Sequence, residues 1–263
     1  ELITVGGYTF TYDLAETVTR TVGSTDFHMD FDGTGFSISE DGGGNMPLAD
    51  VQSLLRGITY ENTSQNPTTG NRTLDIEVQD VGGLISNTAT STITVSAVND
   101  DPTNAGSLPT DIALSQDVSS NVDLSLIDLS DVDEAGGSLT VTLTTSTGGN
   151  LSATTGGGVT VGGSGTGVLT LDGTQTDLNT FLDTANNITY LHGTPGTNGD
   201  DADTIQVNVN DNGNTGTGGG TDIDLGTVNV DIASAESVAL ATGFVTTWQT
   251  DNPGTSADDT ITI

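Results

Sequence analysis

Residues 177–190 read DLNTFLDTANNITY, and residues 50–60 read DVQSLLRGITY. In each, an acid opens a run whose apolar residues fall at helical spacing: Leu178, Phe181 and Leu182 in one, Val51, Leu54 and Leu55 in the other. An Ile-Thr-Tyr stretch then resumes as a strand. Asp50 and Asp177 are 127 positions apart, Ile58-Thr59-Tyr60 and Ile188-Thr189-Tyr190 are 130 apart, Val78-Gln79-Asp80 and Val209-Asn210-Asp211 are 131 apart, and Thr34-Gly35 and Thr166-Gly167 are 132 apart. Several matches in one order at nearly one offset predict two homologous units of about 130 residues.

The second unit is the fuller one. Alternating apolar residues predict strands through Val122, Leu124 and Leu126, through Leu139, Val141 and Leu143, through Val159 and Val161, and through Leu169 and Leu171. Two more follow through Ile205, Val207 and Val209 and through Val228, Val230 and Ile232. Between them the pattern predicts one short helix, capped by Thr176 or Asp177. Seven or so short strands with glycine-rich turns predict an all-β chain of tandem immunoglobulin-like β-sandwiches, each with one short helix. The expected divisions are 1–98, a sandwich lacking its first strands; 99–231, a complete one; and 232–263, the opening strands of a further domain or of a neighbour's.

Composition agrees and excludes much. Three arginines face 36 acids, a formal charge of 3 − 36 = −33, so nucleic acid and anionic membranes are repelled. Cysteine and lysine are both absent, which removes disulfides, thiolate chemistry and Schiff bases. No apolar run approaches a membrane span, and no signal peptide is evident, as in a mature chain or a slice of one. There are 29 Asp against 7 Glu, and 48 Thr. Threonine and valine favour strands, and Asp, Asn and Gly favour turns. An aspartate excess with almost no cationic side chains points to a hard cation held by oxygen ligands, or else to a solvated acidic surface.

The short helix, the I-T-Y strand, the hairpin sequence DIEVQDVGG (75–83) and the linker TITVSAVNDDP (92–102) together resemble bacterial cadherin-like repeats, which occur in tandem in large secreted adhesins and surface proteins. Ser130–Gly137 fits the same family, and the resemblance covers most of residues 1–231. It implies an extracellular, cell-surface protein with calcium at the joints between units. In a sandwich of this topology the entering linker (Asn99, Asp100, Asp101), the loop with Asp131, Asp133 and Glu134, and the loop with Asp211 share one end. Glu61 faces them from the first unit. The resemblance implies that these eight residues hold Ca2+.

Other features are weaker. Asp30, Asp32 and Gly35, with Asp41 twelfth, partly match a calcium loop but read as a hairpin turn. Asp200, Asp201 and Asp203 are candidates for a next joint. His28 and His192 lack partners for catalysis, and carboxylates are too plentiful for a pair to mark a glycosidase, so no enzyme is expected. Asp258-Asp259 and Thr260–Ile263 match the place of Asp131 and the strand after it, which suggests a cut from a longer array or a strand donated head-to-tail to another copy. The sequence thus predicts a calcium-stiffened segment of a bacterial surface fibre, filament or adhesin stalk; the alternative is a carbohydrate- or protein-binding module.

Overall fold

The computed structural model describes residues 1–12, 14–23, 25–32 and 35–234. The expectations for the 232–263 division beyond residue 234, with Asp258, Asp259 and Thr260–Ile263, lie outside those residues. The described residues are all-β with two short helices and several sheets.

The N-terminal half holds β1 (Leu2–Val5), β2 (Tyr8–Thr11), β3 (Glu16–Val22), β4 (Thr25–Phe31), β5 (Phe36–Glu40), α1 (Leu48–Arg56), β6 (Thr59–Glu61), β7 (Gly70–Ile76) and β8 (Ala89–Val95). They form sheets ordered β2-β1-β6 and β3-β4-β5, and a separate β7-β8 ribbon. Val5, Phe10, Phe27, Met29, Phe31 and Leu54 make one small buried cluster. Of the predicted helix face only Leu54 is fully buried.

The C-terminal half holds β9 (Thr103–Asn104), β10 (Asp111–Ser115), β11 (Ser120–Asn121), β12 (Leu129–Ser130), β13 (Leu139–Thr145), β14 (Gly149–Ala153), β15 (Thr160–Gly162), β16 (Val168–Gly173), α2 (Gln175–Leu182), β17 (Ile188–His192), β18 (Gly199–Asn210) and β19 (Ile223–Ala233). Six strands run in the order β10-β19-β18-β13-β16-β15, and three in the order β11-β17-β14. Both sheets and α2 contribute to one core, in which Val141, Leu143, Leu151, Leu171, Leu178, Tyr190, Val207 and Val230 are all buried. Alternation explains the fit: along β13 the buried Leu139, Val141 and Leu143 are separated by half-buried threonines. Full burial of each such side chain contributes roughly 1.5–3 kcal/mol.

Two expectations need correction. Val122–Leu126 is no strand: Val122 and Leu124 are buried but Leu126 is exposed, because the strand ends at Asn121 and a turn closes from Ile127 N–H to the Leu124 carbonyl. The cap of α2 is neither Thr176 nor Asp177 but Thr174, whose side chain accepts from the Asp177 N–H.

With so few cations, acids on the sheets are satisfied by hydroxyls. Thr17 donates to Asp30, Thr21 to Asp26 and Thr90 to Asp75, each pair directly opposite in register. The one ion pair among the described residues is Arg72–Glu1 at 2.6 Å, and it holds the Glu1 carboxyl below its ordinary value. Arg20 instead lies over the Tyr8 ring, 4.7 Å from its centroid.

Asp203 is buried at the start of β18 and fully caged. It accepts from the N–H groups of Ser146, Thr147, Gly149 and Thr204, from the Ser146 hydroxyl and from the Tyr190 hydroxyl. Burial acts to raise its pKa, but the Tyr190 hydroxyl, the Thr204 amide and the Ser146 hydroxyl outweigh it and bring the carboxyl down to about 2. Burial and the neighbouring carboxylate push the Tyr190 phenol up. The cage ties the β13–β14 turn to β17 and β18. Gly149 is required there, since a Cβ would sit 2.1 Å from the Tyr190 ring.

A carboxyl with a folded pKa below its unfolded value stabilises above the unfolded value, and that contribution is lost as pH falls through the folded one. From 3.8 down to about 2, Asp203 therefore contributes roughly 2 kcal/mol at neutral pH. Urea unfolding should show stability falling between about pH 4 and 2, and Asp203→Asn should flatten that fall while destabilising the protein at pH 7. An unchanged slope in the variant would remove Asp203 as its source.

Candidate metal centre at the linker

The linker enters the C-terminal half at Ala97, which is buried. Val98 forms an isolated parallel bridge with Thr217, closed by Thr217 N–H to the Ala97 carbonyl at 3.1 Å and Asn99 N–H to the Thr217 carbonyl at 3.2 Å. The chain thus passes beside the loop between β18 and β19 before Pro102, also buried, fixes its exit.

Three segments meet here. The Asn99 side chain donates to one oxygen of Asp211, and the Asp100 N–H donates to Asp133 at 3.2 Å. Asp131 accepts from the Asp133 N–H at 3.1 Å, closing a tight turn. Asp211 accepts from Gly213 and Gly220 N–H at 3.0 and 2.7 Å, which folds the glycine-rich loop back on itself. Asp133 and Asp211 are each only 1% exposed.

What distinguishes the place is what is left over. Asn99 Oδ1, Asp131 Oδ2 and Asp133 Oδ1 are buried and have no hydrogen-bond partner. All three are oxygens, the donor type that hard cations take. Leaving a buried acceptor unsatisfied costs on the order of 1–3 kcal/mol, and more when it is charged. Burial, then the neighbouring Asp133, raises the Asp131 carboxyl to about 6, with Asp211 adding to the repulsion. Burial also acts to raise Asp211, but the Gly213 and Gly220 amides and Asn99 outweigh it and lower that carboxyl. Three oxygens near the linker, on Asn99, Asp131 and Asp133, are thus left with acceptor capacity unmet, while the one group of acids among the described residues whose ligand atoms all lie within 4.8 Å of one another is Asp111, Asp201 and Asp231.

The remaining candidates lie differently. Glu134 has both oxygens engaged, one by the Gln175 N–H at the start of α2 and one by the Gly136 N–H. Asp101 is exposed. Glu61 is exposed on β6, in the sheet with β1 and β2. At the far end of the same half, Asp111, Asp201 and Asp231 bring ligand oxygens within 4.8 Å of one another, but largely in solvent. Of the acids expected there, Asp200 is exposed and Asp203 is committed to its cage. Asp32 and Gly35 bond to each other between β4 and β5, a hairpin connection. His192 closes β17, and its Nε2 is buried without a partner.

Sequence reasoning missed the residues that shape the site. Gln175 accepts from the Asp131 N–H at 2.8 Å, and the Thr215 hydroxyl donates to the Asp133 carbonyl at 2.5 Å. Gly216 and Gly219 let the loop lie against the linker: a Cβ on Gly216 would stand 2.7 Å from the Asn99 nitrogen, and one on Gly219 2.4 Å from the Asn99 side chain. The run GNTGTGGGT (213–221) was the available signal, since close backbone approach is one reason for glycine.

No protein-family model matches the chain, and comparison with curated proteins and with solved structures gives no match either.

Gly216 and Gly218 both have positive φ, +94° and +98°, but nothing lies within 4 Å of a Cβ at Gly218. Alanine at either position incurs backbone strain of about 1–3 kcal/mol. Gly216→Ala additionally meets the linker, so it should lower the urea midpoint more than Gly218→Ala. Equal losses would mean that the loop does not rest on residues 97–99.

Proposed function

We propose that this chain is a structural segment, two cadherin-like β-sandwiches in tandem, from a calcium-stiffened bacterial surface fibre, filament or adhesin stalk. The observation that carries the reading is the set of orphaned buried oxygens on Asn99, Asp131 and Asp133 where the linker enters the second unit. A cation there neutralises carboxylates that otherwise repel one another, and it fastens the linker to two loops of the unit it leads into. Asn99, Asp131, Asp133 and Asp211 are its ligands in this reading, with Asp100 holding Asp133 in place through its backbone.

Several features support the tandem arrangement. Each helix is followed by an Ile-Thr-Tyr strand that pairs antiparallel with a partner: Tyr60 opposite Ile3, and Tyr190 opposite Leu151. In the second unit two sheets close over one core, and the first long strand, β10, runs parallel to the last, β19. Extended units joined by a pinned linker transmit length and direction, which is what a stalk requires. The secreted, cell-surface setting rests on the resemblance of the 75–102 segment. The function is mechanical rather than catalytic in this reading, and the units meet others like themselves head-to-tail.

Calcium titration tests the proposal. Extracellular calcium modules bind at ~10⁻⁴–10⁻³ M, so 10 mM calcium should add roughly 1.4–2.7 kcal/mol over chelator. That is a rise of several degrees in the melting temperature of the second unit. Asp133→Asn together with Asp131→Asn should abolish the rise. A melting temperature indifferent to calcium, with no heat of binding in calorimetry, would overturn the calcium assignment.

A further inference from the structure

The chain carries the dipeptide Asn-Gly twice, at Asn198-Gly199 and at Asn212-Gly213. This pair is chemically unstable in water. The glycine amide nitrogen, once deprotonated, attacks the asparagine Cγ, and glycine has no Cβ to obstruct the approach. Both asparagines are exposed, so access to solvent does not separate them. Their hydrogen bonds do.

Asn212 is held at each group the reaction uses. Its Nδ2 donates to the Ser138 carbonyl at 2.9 Å and to the Thr140 hydroxyl at 3.2 Å, which fastens the side chain to the start of β13. Its own N–H donates to the Asn210 side chain at 2.7 Å. The attacking nitrogen, that of Gly213, donates at 3.0 Å to Asp211, a buried carboxylate. Taking the proton from that amide strips a donor from Asp211 and sets a second negative charge beside the first. Releasing these bonds together opens the loop between β18 and β19, which Asp211 also ties through the Gly220 N–H at 2.7 Å.

Asn198 lies in the turn between β17 and β18 and is held by far less. Its Nδ2 donates to the Gly196 carbonyl at 3.0 Å, within the same turn. Gly199 enters β18 through a pair with Ile232, and an irregularity separates that pair from the next, Asp203 with Val230. A pair at the end of a ladder opens locally at small cost.

We propose that Asn198 is a self-modification site that deamidates in the folded chain, while Asn212 is locked against the same reaction. The Gly199 nitrogen gives its proton to hydroxide and bonds to Asn198 Cγ. The Cγ–Nδ2 bond breaks and ammonia leaves, closing a succinimide ring. Water then opens the ring. Attack at Cγ leaves aspartate at position 198, and attack at the main-chain carbonyl leaves isoaspartate, with one extra atom in the main chain. Nothing is oxidised or reduced. The product places a new negative charge two residues before Asp200 and three before Asp201, whose carboxylate already lies within 4.8 Å of those of Asp111 and Asp231. The change falls at the end of this half away from the linker, and it does not depend on a bound cation.

The test incubates the whole chain at mildly alkaline pH in chelator, once folded and once in guanidinium chloride. A protease that cuts before aspartate separates 183–199 from 211–221, and mass spectrometry with fragmentation reads the gain of one mass unit at each asparagine. In the folded chain Asn198 should convert about tenfold or more faster than Asn212. In guanidinium chloride the two rates should converge, because no fold then distinguishes the dipeptides. Equal rates in the folded chain overturn the inference, as does folding that slows Asn198 as strongly as Asn212. A difference that persists unchanged in guanidinium chloride overturns it too, since sequence context rather than the fold would then set the rates.

Discussion

Negative charge without cationic partners constrains this molecule throughout. Three arginines cannot serve 36 acids, so each carboxylate that leaves water must find hydroxyls, amides or an ion. On the sheets, threonines directly across the ladder serve, as Thr17 does for Asp30. At Asp203 six donors converge, and the charge is stable inside the protein. At the linker the supply falls short. Asp211 is satisfied by two amides and Asn99, but Asp131 and Asp133 each keep a buried oxygen with no donor. The contrast between Asp203, held down to about 2, and Asp131, raised to about 6, is the contrast between a completed cage and an incomplete one.

The same constraint separates the two halves. The C-terminal half closes two sheets over a continuous core, and its linker, its β18–β19 loop and the Asp131–Asp133 turn are knitted by short contacts. The N-terminal half has a six-residue core and a ribbon that buries nothing fully. Its Tyr60 sits near Arg72 and Glu1, an ion pair that water still partly reaches, where Tyr190 meets the buried Asp203. Exposed ion pairs contribute little to stability, whereas a caged buried carboxylate penalises any rearrangement of its donors.

Some of the acids that chain order places near the linker come together and others do not, and the reasons are local. Asn99, Asp131, Asp133 and Asp211 converge because strand alternation carries their loops to one end. Glu134 stands beside Asp133 in sequence, but the first turn of α2 presents an unsatisfied amide at Gln175, and that donor takes the carboxylate. Asp101 follows Asp100 directly and yet points into water. Neighbouring acids in a turn diverge, and sequence spacing does not tell which of them faces inward.

The sequence by itself determined the all-β character, the two short helices, and the apolar faces of β13, β16, β18 and β19, because a period of two is written directly in the residues. It also marked the linker and the aspartate turns as places of concentrated charge. Only the tertiary structure decided which oxygens are left without donors, because satisfaction depends on amides from segments distant along the chain: Gly213, Gly220 and Gln175 for one site, Ser146 and Thr204 for another. It likewise decided which strands pair and which end a sheet, since strand pairing is a property of neighbours in space.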